Sequence, residues 1–533
     1  MELAAGRLAQ SPKAISFDQL VDEVLSRHVQ PEDKYEVAAI LESMGWNDRT
    51  AAEFFGVEDI FALAANIWDA IQVKILFVPA SPVEKISTLQ YLVLILRSFL
   101  RGTIFALPMA VSVFSMLTLR FSLWSYEYLS LENATSIAMG TILSFMAVGG
   151  FTQAIARRGF MYVGQGHYYM ARRVTFYFVK IGYVVCLLSA GAFIVFSLVF
   201  AVFPWHMTVI IVLYFLFLSA IWLSVTIMYI LQKELIFTGL IIGGITTVFI
   251  LFKLLAFNII FSQVIALILV SIAGILTAHY FFMKAEKEME KGIAPPMPRL
   301  SIIAYTSIPF FTYGFLYFTF LFTDRVMAWS TNNLFMPYLI WFRGEYELGL
   351  DFALITMILP MGVVEVVVNE IMLNLEANEK NHMASESGRL SRLYVLMYFK
   401  RMAFVTLFSA VNAAALYLLI RYLSNAGTFE LNIFTSPTTH FVFAWSVVAY
   451  AVVAVALMNT LILFCLSQPE MVYRSTLYSF LINLFLGFVL SRWVDHSWAV
   501  FGLLVGALAF VIITSQRVLK VLKNIDYYLY AAS

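Results

Sequence analysis

SIPFFTYGFLYFTFLFTDRVMAW (307–329) and FALITMILPMGVVEVVVNEIML (352–373), joined by a connection ending in RGEYELGLD (343–351), decide how this chain must fold. Each run is about twenty residues of nearly unbroken apolar side chains, the length a helix needs to cross roughly 30 Å of hydrocarbon. Neither alternates as a barrel strand does. A backbone facing lipid must also satisfy its own N–H and C=O groups, so both runs read as helices. They also hold most of the acidic residues that this sequence sets in apolar surroundings.

The same pattern runs outward in both directions. Apolar runs of this length recur near 99–120, 132–155, 175–203, 206–231, 235–256, 258–283, 301–325, 348–375, 396–423, 438–466, 472–491 and 496–517, about twelve in all. A mean hydropathy of +0.85, with 61% hydrophobic and 13% charged residues, excludes a soluble globular protein of 533 residues. Such a chain would expose too much apolar surface to water. Net charge is +1, which argues neither for nor against a nucleic-acid partner, and no basic patch carries interleaved aromatics; the expected partner is the lipid bilayer, with no nucleic acid. Cys186 and Cys465 both lie inside apolar runs and read as small buried hydrophobes. The fold class is an all-α polytopic membrane protein of about twelve transmembrane helices.

Residues 1–95 are different material. Ser16 and Gln19 fit a capping box ahead of Leu20, Val21, Val24 and Leu25 at helical spacing. A second helix opens at Pro31 and stops at Gly45; Asn47 or Asp48 caps a third, which ends at Gly56. A fourth follows over 57–68. The stretch LESMGW (41–46) is similar to a turn of ubiquitin-associated three-helix domains, but short apolar-glycine-aromatic turns are common. The module reads as a cytoplasmic docking or regulatory cap, through which a glycosyltransferase could be recruited.

Lysine and arginine placement sets the orientation. Arg157, Arg158, Arg172, Arg173, Lys233, Lys284, Lys287, Lys291, Arg299, Lys380, Arg389, Arg392, Lys400, Arg401 and Arg474 fall in loops on the N-terminal side of the bilayer, and Arg517, Lys520 and Lys523 in the tail. The other side holds little beyond Arg120, Arg325, Arg343, Arg421 and Arg492. The expectation is a multi-pass protein of the cell (inner) membrane with both termini cytoplasmic. KAEKEMEKGIAPPMPR (284–299) is the longest cytoplasmic interruption, and its proline-rich end reads as a linker. The organisation is then a cytoplasmic helical module (1–95), a first six-helix lobe (96–283), a linker (284–300), and a second six-helix lobe with the tail (301–533). Amphipathic inside loops at 157–173 and 376–392 occupy equivalent places in the two halves, the signature of a parallel two-lobed transporter.

Within 307–329, Tyr313, Tyr317, Phe320 and Asp324 fall on one helical stripe. Two readings stand. The stripe is either a cavity wall, with aromatic platforms and a carboxylate for polyhydroxylated cargo, or an interfacial tyrosine belt ending in an acid. Glu365, deep in GVVEVVVNE, is the best candidate for a buried functional carboxylate, with a structural hydrogen bond to another helix as its other reading. Pro360 removes a backbone hydrogen bond mid-helix and can serve gating. Lys253 either balances a carboxylate or snorkels to the outer interface. Gly239 and Gly243, and Gly502 and Gly506, form GxxxG pairs that read as internal packing.

Neither a Walker A sequence, HExxH or GxSxG, nor metal-ligand spacing among the seven histidines is present, so neither a catalytic residue nor a metal or cofactor is expected. Coupling to H⁺ or Na⁺ is the only ion requirement anticipated.

FTYGFLYFTFLFTDRVMAW, followed by GLDFALITMILPMGVVEVVVNEIML, resembles the inner-membrane exporter subunit family of the Pel exopolysaccharide system, through Tyr313, Gly314, Asp324, Arg325, Trp329, Asp351, Pro360, and Glu365 or Glu370. The loop starting at Arg157 is similar as well. This sequence departs from that family in its N-terminal module and in carrying Asp-Arg where the family has Asp-Lys. The resemblance implies the multidrug/oligosaccharidyl-lipid/polysaccharide flippase superfamily, with two six-helix lobes around a central cavity. The function expected is export of a polysaccharide, lipid-linked glycan or related amphiphile by alternating access. Tyr313, Tyr317, Asp324, Arg325 and Asp351 would bind cargo, Glu365, Glu370 and Lys253 would couple ions, and Pro360 would gate. The alternatives are a membrane-embedded glycosyltransferase or polymerase, and a scaffold that recruits a cytoplasmic synthase.

Overall fold

A computed structural model describes residues 16–27, 33–77, 88–104, 107–289, 299–331, 338–379, 387–425 and 436–530. The chain divides into two compact units, Met1–Ser87 and Thr88–Ser533.

The first unit contains α1 (Phe17–Arg27), α2 (Lys34–Ser43), α3 (Asp48–Phe55) and α4 (Ile60–Phe77). Its helix starts are those the side chains favour. Gln19 N–H donates to Ser16 Oγ (3.3 Å) while Gln19 Oε1 accepts from Ser16 N–H (3.1 Å), closing the expected capping box. Asp33 Oδ1 accepts from the amides of Tyr35 and Glu36, and Asn47 and Thr50 cap α3 reciprocally. Gly45 (φ 92°) and Gly56 (φ 67°) take the left-handed conformation that ends α2 and α3. Leu20, Val24, Leu41, Trp46, Leu63 and Ile67 are among the residues that fill the core.

The second unit is the polytopic part. Eleven helical segments among the described residues are long and apolar enough to cross a membrane. Helices α7 (Leu131–Gly164), α8 (Tyr168–Phe200), α9 (Trp205–Ile230), α10 (Glu234–Phe249) and α11 (Ile259–Met289) belong to the first lobe. The second lobe holds α12 (Leu300–Trp329), α13 (Gly344–Leu354), α14 (Ile358–Glu379), α15 (Ser387–Asn425), α16 (Pro437–Cys465), α17 (Pro469–Trp493) and α18 (Val500–Lys523), with a short α19 (Ile525–Tyr530) after it. The first expected run, 99–120, is instead two shorter helices, α5 (Thr88–Ile104) and α6 (Leu107–Leu119). Together they take the twelfth place, beginning eleven residues earlier than the apolar run because Arg97 and Arg101 are carried inside α5.

Packing repeats between the lobes. In the first, α7 packs on α9, α9 on α11, and α6 on α10; in the second, α13 and α14 pack on α16, α16 on α18, and α12 on α17. Three hairpins on the lysine- and arginine-rich face close with the same turn, built on left-handed Gly166 (φ 78°), Gln232 (φ 55°) and Ser467 (φ 56°). In each, the next amide reaches five residues back: His167 to Tyr162 (2.9 Å), Lys233 to Met228 and Gln468 to Leu463 (both 2.8 Å). The expected amphipathic loop at 157–173 is therefore no loop. It is the ends of α7 and α8 around a three-residue turn. In its counterpart at 376–392, 376–379 end α14 and 387–392 begin α15, while 380–386 and the proline-rich stretch 294–298 of the linker lie outside the described residues.

Two long helix–helix crossings join the lobes, and they are related in the same way. Helix α7 lies along α12, and α5 lies along α14, so each lobe's first helix packs on the other lobe's second. Both crossings are made by glycine. A Cβ on Gly314 would overlap the Gly149 carbonyl oxygen and lie 2.6 Å from Gln153 Cγ; one on Gly102 would lie 2.8 Å from Gly362 Cα. Only residues without a side chain let these backbones approach so closely. By contrast Gly239 and Gly243 face open space, while Gly502 and Gly506 pack on Asn483 and Phe320.

Candidate functional site

The densest polar constellation inside the second unit is built by α12, α13 and α16. Helix α13 begins at Gly344, so Glu347 and Asp351 stand one turn apart on a single face instead of in a connecting loop. That face meets the end of α12. The Arg325 guanidinium pairs with the Glu347 carboxylate and, at 3.1 Å, with Asp351 Oδ1. The Tyr346 hydroxyl donates to Asp324 Oδ2 at 2.9 Å. Tyr450 of α16 lies beside the same charges, and the Trp329 indole N–H lies beside Glu347. Neighbours on a helix point apart, which is why Asp324 and Arg325 take different partners.

Asp324 is fully buried, Arg325 and Glu347 are 5% exposed, and the Asp351 side chain is 58% exposed. One arginine thus faces two buried carboxyl groups and a third at the rim. Asp324 Oδ1 and Glu347 Oε1 have no hydrogen-bond partner among the described residues. Each buried carboxyl group thus has one oxygen partnered and one without a partner, and the cluster holds more carboxyl groups than cations.

The tyrosine stripe is inside protein and is not an interfacial belt. Tyr313 is 4% exposed and stacks on Tyr317 (ring centroids 5.7 Å apart) and edge-on against Phe464 (4.9 Å). Phe320 is fully buried. Pro360 sits where the eighth run breaks, just after a 3₁₀ turn at Ile355–Met357. Lacking an N–H, it cannot bond the Thr356 carbonyl; that oxygen accepts from Asn412 Nδ2 of α15 at 2.8 Å instead. Glu365 is half-buried on α14 at the α5 crossing, 3.1 Å (Cβ) from where a Gly102 Cβ would stand, with Arg101 and Tyr229 as its electrostatic neighbours.

Two expected ion-coupling residues lie elsewhere. Glu370 is ion-paired with Arg401 of α15. Lys253 is exposed in a π-helical end of α10, its ammonium 5.3 Å from the Phe252 ring. Neither joins the Arg325 cluster.

Sequence reading passed over Glu347, Tyr346 and Tyr450. The i,i+4 spacing of Glu347 and Asp351 was the available signal, hidden by starting the eighth run at 348. It also passed over a second junction between the lobes. There the Tyr338 hydroxyl donates to Glu132 of α7, whose other oxygen lies 3.0 Å from His206 Nε2, and Phe342 N–H donates to Thr135 Oγ1 at 3.0 Å. No group of three metal-ligating side chains occurs among the described residues.

No family model and no curated protein matches this chain. Solved structures do. A superfamily transporter from Pyrococcus furiosus Vc1, whose binding pocket is described as reversed in polarity, superposes with a TM-score of 0.51 at 14% identity, over 80% of this chain and 96% of that one. The Vibrio cholerae MATE transporter VcmN in its bent form gives 0.52 at 13% identity, over 82% and 99%. An outward-facing multidrug resistance MATE transporter gives 0.50 at 12% identity, over 82% and 96%. All three are transporters, and this chain shares their fold.

Proposed function

We propose that this chain is a multi-pass membrane transporter of the flippase kind. It would move a polysaccharide, lipid-linked glycan or related amphiphile outward by alternating access, in the manner of an exopolysaccharide exporter. The observation that carries this reading is the exchanged packing of the lobes, with α7 on α12 and α5 on α14, each crossing made by facing glycines. Facing glycines, flanked at the α7–α12 crossing by aromatic rings that stack across it, suit two rigid bodies that must part and meet again. In this reading the Arg325 cluster accepts the coupling ion, H⁺ or Na⁺, because one cation balances its surplus carboxylate. Tyr313 and Tyr317, stacked beside the crossing, offer aromatic faces for sugar rings, and the 3₁₀ break before Pro360 lets the eighth run flex.

The test uses the full chain reconstituted in vesicles, with a fluorescent lipid-linked oligosaccharide and an imposed pH or Na⁺ gradient. Glu347→Gln and Asp324→Asn should abolish the gradient's effect on transport. Gradient-stimulated transport at the parent rate in both variants would refute the coupling site; no transport by the parent would refute the function.

A further inference from the structure

A second polar site lies on the lysine- and arginine-rich face, where α16 turns into α17. A cavity of about 470 Å³ is bounded there by Gln468 and Glu470 of the turn, Arg474 of α17, Arg517 and Lys520 of α18, and Pro309 of α12. Pro309 and Arg325 are sixteen residues apart on α12, about 24 Å at helical rise, so this cavity is separate from the Arg325 cluster.

Its charges do not cancel. Glu470 is occupied by Arg474, one turn along the same helix at 3.1 Å. Arg517 and Lys520 form no ion pair among the described residues, although Arg517 is half-buried. Two cations held side by side at the rim of a cavity repel each other and gain most from a shared, multiply charged anion. A guanidinium fork beside an ammonium matches phosphoryl oxygens, and the volume accommodates a phosphorylated head group with room beyond a bare phosphate. Gln468 leaves the start of α17 without a side-chain cap, and Gln468, Pro469, Glu470 and Met471 line the same cavity.

We propose that this cavity binds a phosphoryl group, carried either by a lipid head group of the adjacent leaflet or by a soluble phosphate ester or diphosphate. Through Pro309 the ligand touches α12 two residues from Ser307, which accepts from Arg158 Nε of α7 at 3.2 Å, so occupancy would bear on the junction of the lobes.

The experiment places the full chain in phosphatidylcholine nanodiscs and measures retention of two probes. One is phosphatidic acid doped into the disc, followed by native mass spectrometry; the other is inorganic pyrophosphate, followed by equilibrium dialysis. The Arg517→Gln/Lys520→Gln variant should lose about thirtyfold in affinity for whichever probe binds, the scale expected for two cations near a membrane surface. Arg517→Lys/Lys520→Arg should retain binding, which separates loss of charge from loss of fold. Lys284→Gln, on the same face but outside the cavity, should bind as the parent does. Retention of phosphatidic acid alone assigns a lipid head group, and retention of pyrophosphate in the undoped disc assigns a soluble ligand. Equal binding by the parent and the charge-neutral double variant, or no binding of either probe to the parent, overturns the proposal.

Discussion

Gly314→Ala should prise the lobes apart at their longest contact. The added methyl would overlap the Gly149 carbonyl oxygen and stand 2.8 Å from its carbon. Restoring an ordinary 3.4 Å contact to that carbon alone requires α7 and α12 to separate by about 0.6 Å, and the closer carbonyl oxygen requires more. The obstacle is backbone, so no rotamer change relieves it. The separation also loosens the stacking of Phe145 on Phe318 (5.6 Å) and Phe322 (5.4 Å) beside the crossing. Overpacking of this kind costs about 1–3 kcal/mol. Against a conformation in which the lobes have parted, that is about a 5–150-fold shift in population. The assay is crosslinking by a short bismaleimide between Arg158→Cys and Ser307→Cys, with Cys186 and Cys465 replaced by alanine. Gly314→Ala should slow crosslinking several-fold and change the transport rate with it. Gly243→Ala, where nothing lies within 4 Å of the added methyl, should do neither. Parent-like crosslinking and transport in Gly314→Ala, or an equal effect of Gly243→Ala, would refute the reasoning.

Gly102→Ala should act at the related crossing, since its methyl would lie 2.8 Å from Gly362 Cα and Met361 O; a cysteine pair across α5 and α14 reads the change. Arg325→Met strands the Glu347 carboxylate and should cost about 3–5 kcal/mol in a denaturing-detergent titration. Adding Glu347→Leu should recover part of that loss, and a double variant no better than the single would show that the pair is not the source. Asn412→Ala leaves the Thr356 carbonyl unsatisfied, a loss of about 1–3 kcal/mol, and Pro360→Ala should cut that loss by returning the backbone N–H. Additive losses in the double variant would contradict the shared acceptor. Asn459→Leu removes the acceptor of Tyr398 (2.9 Å) and the donor to Thr514 (3.1 Å) and Ser515 (3.0 Å), and should lower the thermal midpoint without altering the Gly314 crosslink.

The fold was legible because the requirement that shapes it most is local. A lipid-facing helix has to be apolar for about twenty consecutive residues, and that demand is written in one dimension. Eleven runs met it alone. The first did not, because Arg97 and Arg101 interrupt the hydropathy of α5 while Pro108 stands near the start of α6, so the apolar run marks only the later part of what the chain folds there. Capping in the first unit was legible for the same reason: Ser16–Gln19 and Asn47–Thr50 are contacts three residues apart.

The site was legible only where chemistry and cost coincide in one residue. Asp324 announced itself as an acid within apolar sequence, and it is buried. Glu347 did not, because RGEYELGLD has loop-like polarity; what makes it significant is Arg325, 22 residues away in sequence, turning the same carboxylate from a solvated end into half of a buried pair. Glu365 and Glu370 show the converse. Both look costly in sequence, yet Glu370 is balanced by Arg401, 31 residues on, and Glu365 sits at a lobe crossing near Arg101. Composition tells which charges need a partner, but only the packing of α5, α12, α13 and α15 tells which of them find one. Under the proposed function, the surplus that remains, two buried carboxyl groups against one arginine, is where a coupling ion would have the most to gain.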